Sequence, residues 1–357
     1  MHTEVRTRAG ILCLLTLQAA CGSTIVTDDA DTSTSGGGGA GAAGAGGIGG
    51  VGGTGGVGGT GGTGGVEPAF DCALAPDAHQ GTKLIPNARG YHGLAVDPFG
   101  FIFGVDINGN LIRASYDGLW APFTSNIFAE QIALHPDGTL YLATFDGVLA
   151  LNPMAQLSTL SSGGNQNYGL RVGPDDKIWI ADADSVRKID RQTGASTTVT
   201  TLADGNFSAG HSFDWNRTFD KLYIGMIADV GGHIRVVDLD EGFNAVGPPE
   251  PFVNLVNAGS VWVDGVALDA CGNLYAANFA SSQLFRVRPS GEVSLYVDWS
   301  FNTSQYGHGV IFGTGVGGFR EDALYLPMPY NNNTVMEVVV GIPGRAFDGI
   351  VVNGPTE

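Results

Sequence analysis

A phrase that returns six times constrains this chain more than any other feature. Each copy has a polar residue, a short apolar run, an Asp-Pro-Gly-like turn and then an apolar strand carrying an aromatic. Two clear copies are His92-Gly93-Leu94-Ala95-Val96-Asp97-Pro98 leading to Phe101-Ile102-Phe103, and Asp264-Gly265-Val266-Ala267-Leu268-Asp269 leading to Asn273-Leu274-Tyr275. A period of roughly 40 residues built from short strands is the mark of propeller blades. The repeat superposes His92, Glu130, Tyr168, His211, Asp264 and His308 as the residues that open the copies. In a propeller these six would ring one end of a central channel.

The copies predict an all-β, six-bladed β-propeller over residues 67–357. Inner strands are expected at Leu94–Val96, Ile132–Leu134, Leu170–Val172, Phe213–Trp215, Val266–Leu268 and Val310–Phe312. The turns that follow hold Pro and Gly, which fix φ or permit positive φ. Second strands carry Phe103, Tyr141, Trp179, Tyr223, Tyr275 and Tyr325, which should pack between neighbouring sheets. The circle closes either through Thr82–Ile85 as an outer strand of the last blade or through Gly349–Val352. Loops beyond the second strands hold Asp106, Asn108, Asp146, Asp182, Asp184, Asp229, Asn278, Asn331 and Asn332, a set of oxygen ligands on the ring's face.

Residues 1–20 predict a secretory signal peptide: Arg6 and Arg8 precede an apolar stretch from Ile11 to Ala20, too short to span a bilayer. Leu17-Gln18-Ala19-Ala20-Cys21-Gly22 resembles a bacterial lipobox, with Gln18 where the pattern has an aliphatic residue, and makes Cys21 the expected lipidation site. Ser35 to Gly65 is almost all Gly with Ala, Val and Thr, so residues 21–66 predict a disordered, flexible tether. The alternative at the N-terminus is an ordinary signal peptide cleaved nearby. The expectation is an exported protein, lipid-anchored at a bacterial outer membrane, in the periplasm or on the cell surface. With Cys13 in the signal and Cys21 at the anchor, Cys72 and Cys271 remain as an even pair in an oxidising compartment, which predicts a disulfide. The formal charge of -18 argues against a nucleic-acid partner and fits a neutral small molecule or a cation.

Gly104 to Leu111 and Asp264 to Tyr275 resemble the senescence-marker-protein/gluconolactonase superfamily. That resemblance covers about residues 85 to 340 and implies a six-bladed propeller with a divalent metal on its axis. Its lactonases hold the metal through a Glu in the first blade, an Asn before an Asp-Trp strand and an Asp in an Asp-Gly motif. Asp264 occupies the last of these, and Asp214-Trp215 preserves the Asp-Trp strand. His211 stands where the family has Asn, and His92 where it has Glu. Three axial histidines also resemble zinc-dependent propeller lyases such as the peptide-amidating lyases, and a streptogramin-degrading propeller lyase is a second relative in architecture.

Imidazoles favour Zn over Ca or Mg. The expected metal set is therefore His92, His211, His308 and Asp264. Such an ion would lower the pKa of a bound water or polarise a carbonyl. Glu130 is the expected general base or acid, Tyr168 a hydrogen-bond donor to substrate, and Asp264 the ligand or supporting carboxylate. The function expected is metal-dependent hydrolysis of a lactone or similar small ester. The alternatives are a metal-dependent lyase and a non-catalytic surface binding module. His135 is placed in a turn on the far face, and His233 beside a loop. Gly313 to Gly318 matches a dinucleotide fingerprint in letters only, since no helix follows.

Overall fold

Each copy of the phrase becomes one sheet. The computed structural model describes residues 70–164, 167–202, 209–227, 233–255, 261–300, 307–331 and 334–345. The expected signal peptide, Cys21, the tether and Gly349–Val352 lie outside them. Within them are six four-stranded antiparallel sheets. The first has Leu94–Val96, Phe101–Val105, Leu111–Ser115 and Trp120–Thr124, and the second Gln131–Leu134, Leu140–Thr144, Gly147–Leu151 and Leu157–Ser162. The third runs from Gly169–Val172 through Ile178–Ala181 and Ser185–Ile189 to Ser196–Thr201. The fourth has Ala209–Trp215, Lys221–Ile227, Ile234–Asp238 and Glu250–Val253, and the fifth Val263–Leu268, Leu274–Asn278, Gln283–Val287 and Val293–Asp298.

The sixth blade closes the circle. Its strands Ile311–Phe312, Ala323–Met328 and Thr334–Val339 take Gly81–Ile85 as the outer fourth, with Gly81 opposite Val339 and Ile85 opposite Val335. Of the two closures considered, the N-terminal one is found. Pairing the first strand with the last blade removes an open edge that would otherwise invite association. A disulfide between Cys72 and Cys271 holds the approach to that strand, with 5.6 Å between Cα atoms and 199 residues between the partners. Arg286 adds bonds of 2.8 Å to the carbonyls of Pro76 and Asp77.

The turns show why the phrase reads as it does. In blade one the Asp97 carboxylate accepts the N–H groups of Phe99 and Phe101, both at 2.9 Å. Asp269 repeats this in blade five with Cys271 and Asn273. The same device engages three of the expected loop oxygen ligands. Asp106 accepts from the backbone of Asn108 and Asn110, and Asp182 from the backbone of Asp184 and Ser185 and from Arg187 Nε. Asn278 Oδ1 takes the Trp262 N–H at 2.7 Å. These oxygens shape their hairpins. Asp229 and Asn332 fall outside the described residues.

The core lies between blades. Trp179 of blade three meets Trp215 of blade four edge to face, with centroids 5.2 Å apart, inside a cluster with Phe213, Leu222 and Ile224. Removing each such side chain from water contributes about 1.5–3 kcal/mol. Buried phenols are satisfied at the same time: Tyr325 donates to Glu337 at 2.6 Å and Tyr275 to Asp269 at 3.1 Å. Gly313 to Gly318 forms a loop and turn and no helix, as expected.

Candidate functional site

Four of the six ring residues are set just before an inner strand or at its head, where their backbone extends the pairing with the second strand. Glu130 N donates to Ala143 O at 2.8 Å, Tyr168 N to Ala181 O at 2.9 Å and His308 N to Pro327 O at 3.2 Å. His92 follows Tyr91, whose N–H bonds Val105 O at 2.6 Å. The other two are inside their strands. In blade four the register passes from Gly210–Met226 to Ser212–Gly225, leaving His211 as the extra residue. In blade five it passes from Val263–Asn278 to Gly265–Ala277, leaving Asp264. A β-bulge re-aims one side chain without ending the ladder. The chain begins these two strands earlier than the sequence pattern predicts because the bulges hide their first residues from a period of two.

Close approach of the backbones brings the ring together. A Cβ on Gly265 would lie within 2.7–2.8 Å of the backbone of His308, Gly309 and Val310, and one on Gly309 within 2.2 Å of the His92 carbonyl. Gly309 N in fact donates to that carbonyl at 3.0 Å. Glycine after a ring residue thus lets blades five, six and one converge.

The side chains follow. His92 Nδ1 lies 2.6 Å from Glu130 Oε2, His211 Nδ1 2.6 Å from Asp264 Oδ1, and His308 Nδ1 2.8 Å from Asp264 Oδ2. Ligand atoms of His92, Asp264 and His308 all lie within 4.8 Å of one another. The rings of His92 and His308 stack with centroids 4.1 Å apart, and that of His211 is 6.3 Å from His92. His211, Asp264 and His308 are buried, while His92 and Glu130 keep some access to solvent. His92, Asp264 and His308 thus share one point, with Glu130 against His92 and His211 against Asp264 but outside that group of three.

These short separations are not aligned hydrogen bonds. Glu130 Oε2, Asp264 Oδ1, His211 Nε2 and both ring nitrogens of His308 are buried with no hydrogen-bond partner. Leaving such atoms unpaired costs about 1–3 kcal/mol each. Nitrogen and oxygen lone pairs that crowd together without pointing at each other suit a shared cation. The donor set, imidazoles with a carboxylate, is one that binds zinc and related ions. The residues present therefore fit a divalent metal.

Electrostatics point the same way at His308 and at the two carboxylates, though not at His92. Burial, then the neighbouring His92 charge, lowers the His308 imidazole to about 4 against the pull of Asp264, so it is neutral and able to ligate at neutral pH. Burial opposes ionisation of Asp264, but His211 and His308 outweigh it and hold the carboxyl well below the usual range. For Glu130 burial is likewise outweighed, mainly by His92, and the pKa falls. Burial would lower His92, yet Glu130 against it and Asp264 beyond raise it.

An aromatic collar was not foreseen from sequence. Tyr91 stacks on His92 at 4.4 Å, Tyr168 on His211 at 3.7 Å, and Phe279 lies 4.3 Å from His308. Trp262 stands edge-on to both His211 and Phe279. Tyr91 precedes a ring residue and Trp262 stands two before one, which is the signal that could have found them. Burial, with Glu130 and Asp264 adding to it, pushes the Tyr168 hydroxyl up to about 12, so it keeps its proton. His135 sits in a far-face turn as expected, and His233 Nδ1 accepts the Leu255 N–H at 2.8 Å.

A six-bladed propeller with a histidine–carboxylate cluster at one mouth is the class that fold and site define. Among solved structures, a gluconolactonase from Xanthomonas campestris superposes with a TM-score of 0.60 at 14% identity, covering 77% of this chain and 94% of that one. Regucalcin from Agrobacterium tumefaciens, described as a calcium-binding protein, gives 0.58 at 15%, covering 75% and 96%. An auxiliary nutrient binding protein from Bacteroides thetaiotaomicron gives 0.55 at 13%, covering 73% and 70%. At these identities the likeness is one of fold, and it bears out the propeller that the family resemblance implied. No protein-family model and no curated protein matches the chain.

Proposed function

We propose that this protein is a metal-dependent hydrolase that opens a lactone or similar small ester at the axial cluster. His92, His211, His308 and Asp264 would hold a divalent ion, zinc in preference to calcium or magnesium. That reading rests on buried imidazole and carboxylate atoms that lack any other partner. A bound ion there supplies Lewis acidity toward an ester carbonyl and toward water.

The chain's own groups do the rest. Glu130 is ionised at neutral pH and takes a proton from the attacking water. As the water oxygen bonds to the carbonyl carbon and the ring C–O bond breaks, that proton passes to the departing alkoxide oxygen. The products are a carboxylic acid and an alcohol on one molecule. Tyr168, which keeps its proton, donates a hydrogen bond to substrate. Tyr91, Trp262 and Phe279 wall the mouth, which suits a substrate with an apolar body. Gluconolactonase and regucalcin share the fold, and the first supports the reaction class.

The nutrient-binding neighbour supports a second reading, in which the same mouth captures a small molecule without turning it over. Export, lipidation at Cys21 and tethering through residues 21–66 belong to the proposal, and a lipid-sized mass increment lost in Cys21→Ala tests them.

The activity test is hydrolysis of a lactone panel by protein loaded with zinc. Ring opening should fall about 10²–10⁴-fold in Glu130→Gln and be lost in His211→Ala. Absence of turnover across the panel, with ligand binding retained in the metal-free protein, would establish the capture reading instead.

A further inference from the structure

The opposite end of the channel holds a cavity that the ring does not use. Its volume is about 510 Å³, within the range of small-molecule sites. Its walls come from the inner strands of blades one, two, three and six and are mostly apolar, with Leu94, Val96, Ile132, Leu134 and Val172 among them. No Asp or Glu lines it.

One cation reaches it. Arg171, on the inner strand of blade three, crosses the axis. Its Nε donates to Phe213 O at 2.7 Å, and one Nη2 donates to Val266 O at 2.6 Å and Val310 O at 3.5 Å. Those carbonyls stand two residues below His211, Asp264 and His308, about 7 Å down each strand. The guanidinium is therefore a floor between the metal cluster and the cavity. It satisfies inner-edge carbonyls that have no strand to pair with. Its Nη1 makes no hydrogen bond among the described residues, and no carboxylate lies within ion-pair distance of it. The nearest acidic influence is Asp214, which is committed to Arg345 at 2.7 Å and to the Leu268 N–H at 2.8 Å. Arg171 is half-buried, and Nη1, with no protein carboxylate beside it, is the donor open to a charged group in the cavity.

We propose that this lower cavity is a second ligand site, taking a molecule with an apolar body and one carboxylate that serves as counterion to Arg171. The walls exclude water from the body, and the guanidinium fixes the head just beneath the metal cluster. Mouth residues Thr314 and Val316, both exposed, leave the cavity open from the turn face.

The probe is octanoate, titrated calorimetrically into the whole protein with chelator present, so that no axial ion can accept the carboxylate. 1-Octanol is the uncharged control. Octanoate should bind one to one, at least tenfold more tightly than octanol. Arg171→Met should abolish that preference. Because Arg171 also bonds three blades, Thr314→Trp provides a second variant that leaves those bonds in place. It blocks the mouth from an exposed position and should weaken octanoate at least tenfold. Equal binding of acid and alcohol, unchanged binding in Thr314→Trp, or no binding at millimolar octanoate would each overturn the proposal. None of these results depends on lactone hydrolysis at the other mouth.

Discussion

Both ends of the channel carry a cluster of histidine and carboxylates, but the cluster around His135 is satisfied and the ring cluster is not. At the turn face, His135 Nε2 lies 2.7 Å from Asp176, and its Nδ1 accepts the Asp137 N–H at 3.1 Å. Arg191 then bonds both carboxylates at 2.9 Å. Every donor there has an acceptor, and the acidic side chains are 46% and 67% exposed. At the ring face, Asp264 sits between two imidazoles, is 3% exposed in its side chain, and none of the crowded atoms is aligned with another. Residue type does not distinguish a functional cluster from a structural one. The distinction is whether burial leaves lone pairs with nothing to bind.

The comparison is broken most severely at Asp264. Asp264→Ala removes the carboxylate that bridges His211 and His308, and zinc affinity should fall at least about a hundredfold by competition with a chromophoric chelator. Retention of wild-type affinity would remove Asp264 from the site. Gly265→Ala comes next. Its new Cβ presses on the backbone of blade six, so unfolding should cost about 1–3 kcal/mol less and zinc affinity should fall about tenfold. Unchanged affinity in a destabilised protein would mean that the close approach serves folding alone.

His135→Ala should be silent at the metal site. The ring is buried and caps its turn, so stability should fall by about 1 kcal/mol, while zinc content and turnover should not change. Loss of metal in this variant would place the ion at the wrong mouth. The smallest effect is acid titration of the same cluster. Asp137 is held at about 2 in the folded chain, burial being outweighed by Thr139 and His135. Its contribution is therefore present above the ordinary carboxylate value of 3.8 and lost as pH falls through about 2. Because the group is half exposed, Asp137→Asn should flatten denaturation between those values by well under about 1 kcal/mol.

The repeat made most of the architecture legible. Blades and turns follow from the period, the N-terminal closing strand is one of the two closures the sequence allows, and the Cys72–Cys271 bridge follows from the two cysteines left over. The ring residues follow from the period too, because a propeller brings equivalent positions to one axis. Three things escaped. The bulges at His211 and Asp264 break the period at the point where it matters chemically. Asp106 and Asp182 looked like ligands because turn-capping and metal binding use the same side chain. Arg171 occupies an ordinary strand position in sequence, and its reach across the axis is a property of the closed ring.

The most direct test is a crystal of zinc-loaded protein measured on both sides of the zinc absorption edge. A single anomalous peak among His92, His211, His308 and Asp264 is the result predicted. No peak there, or one beside His135 instead, would contradict the assignment of the ring as a metal centre.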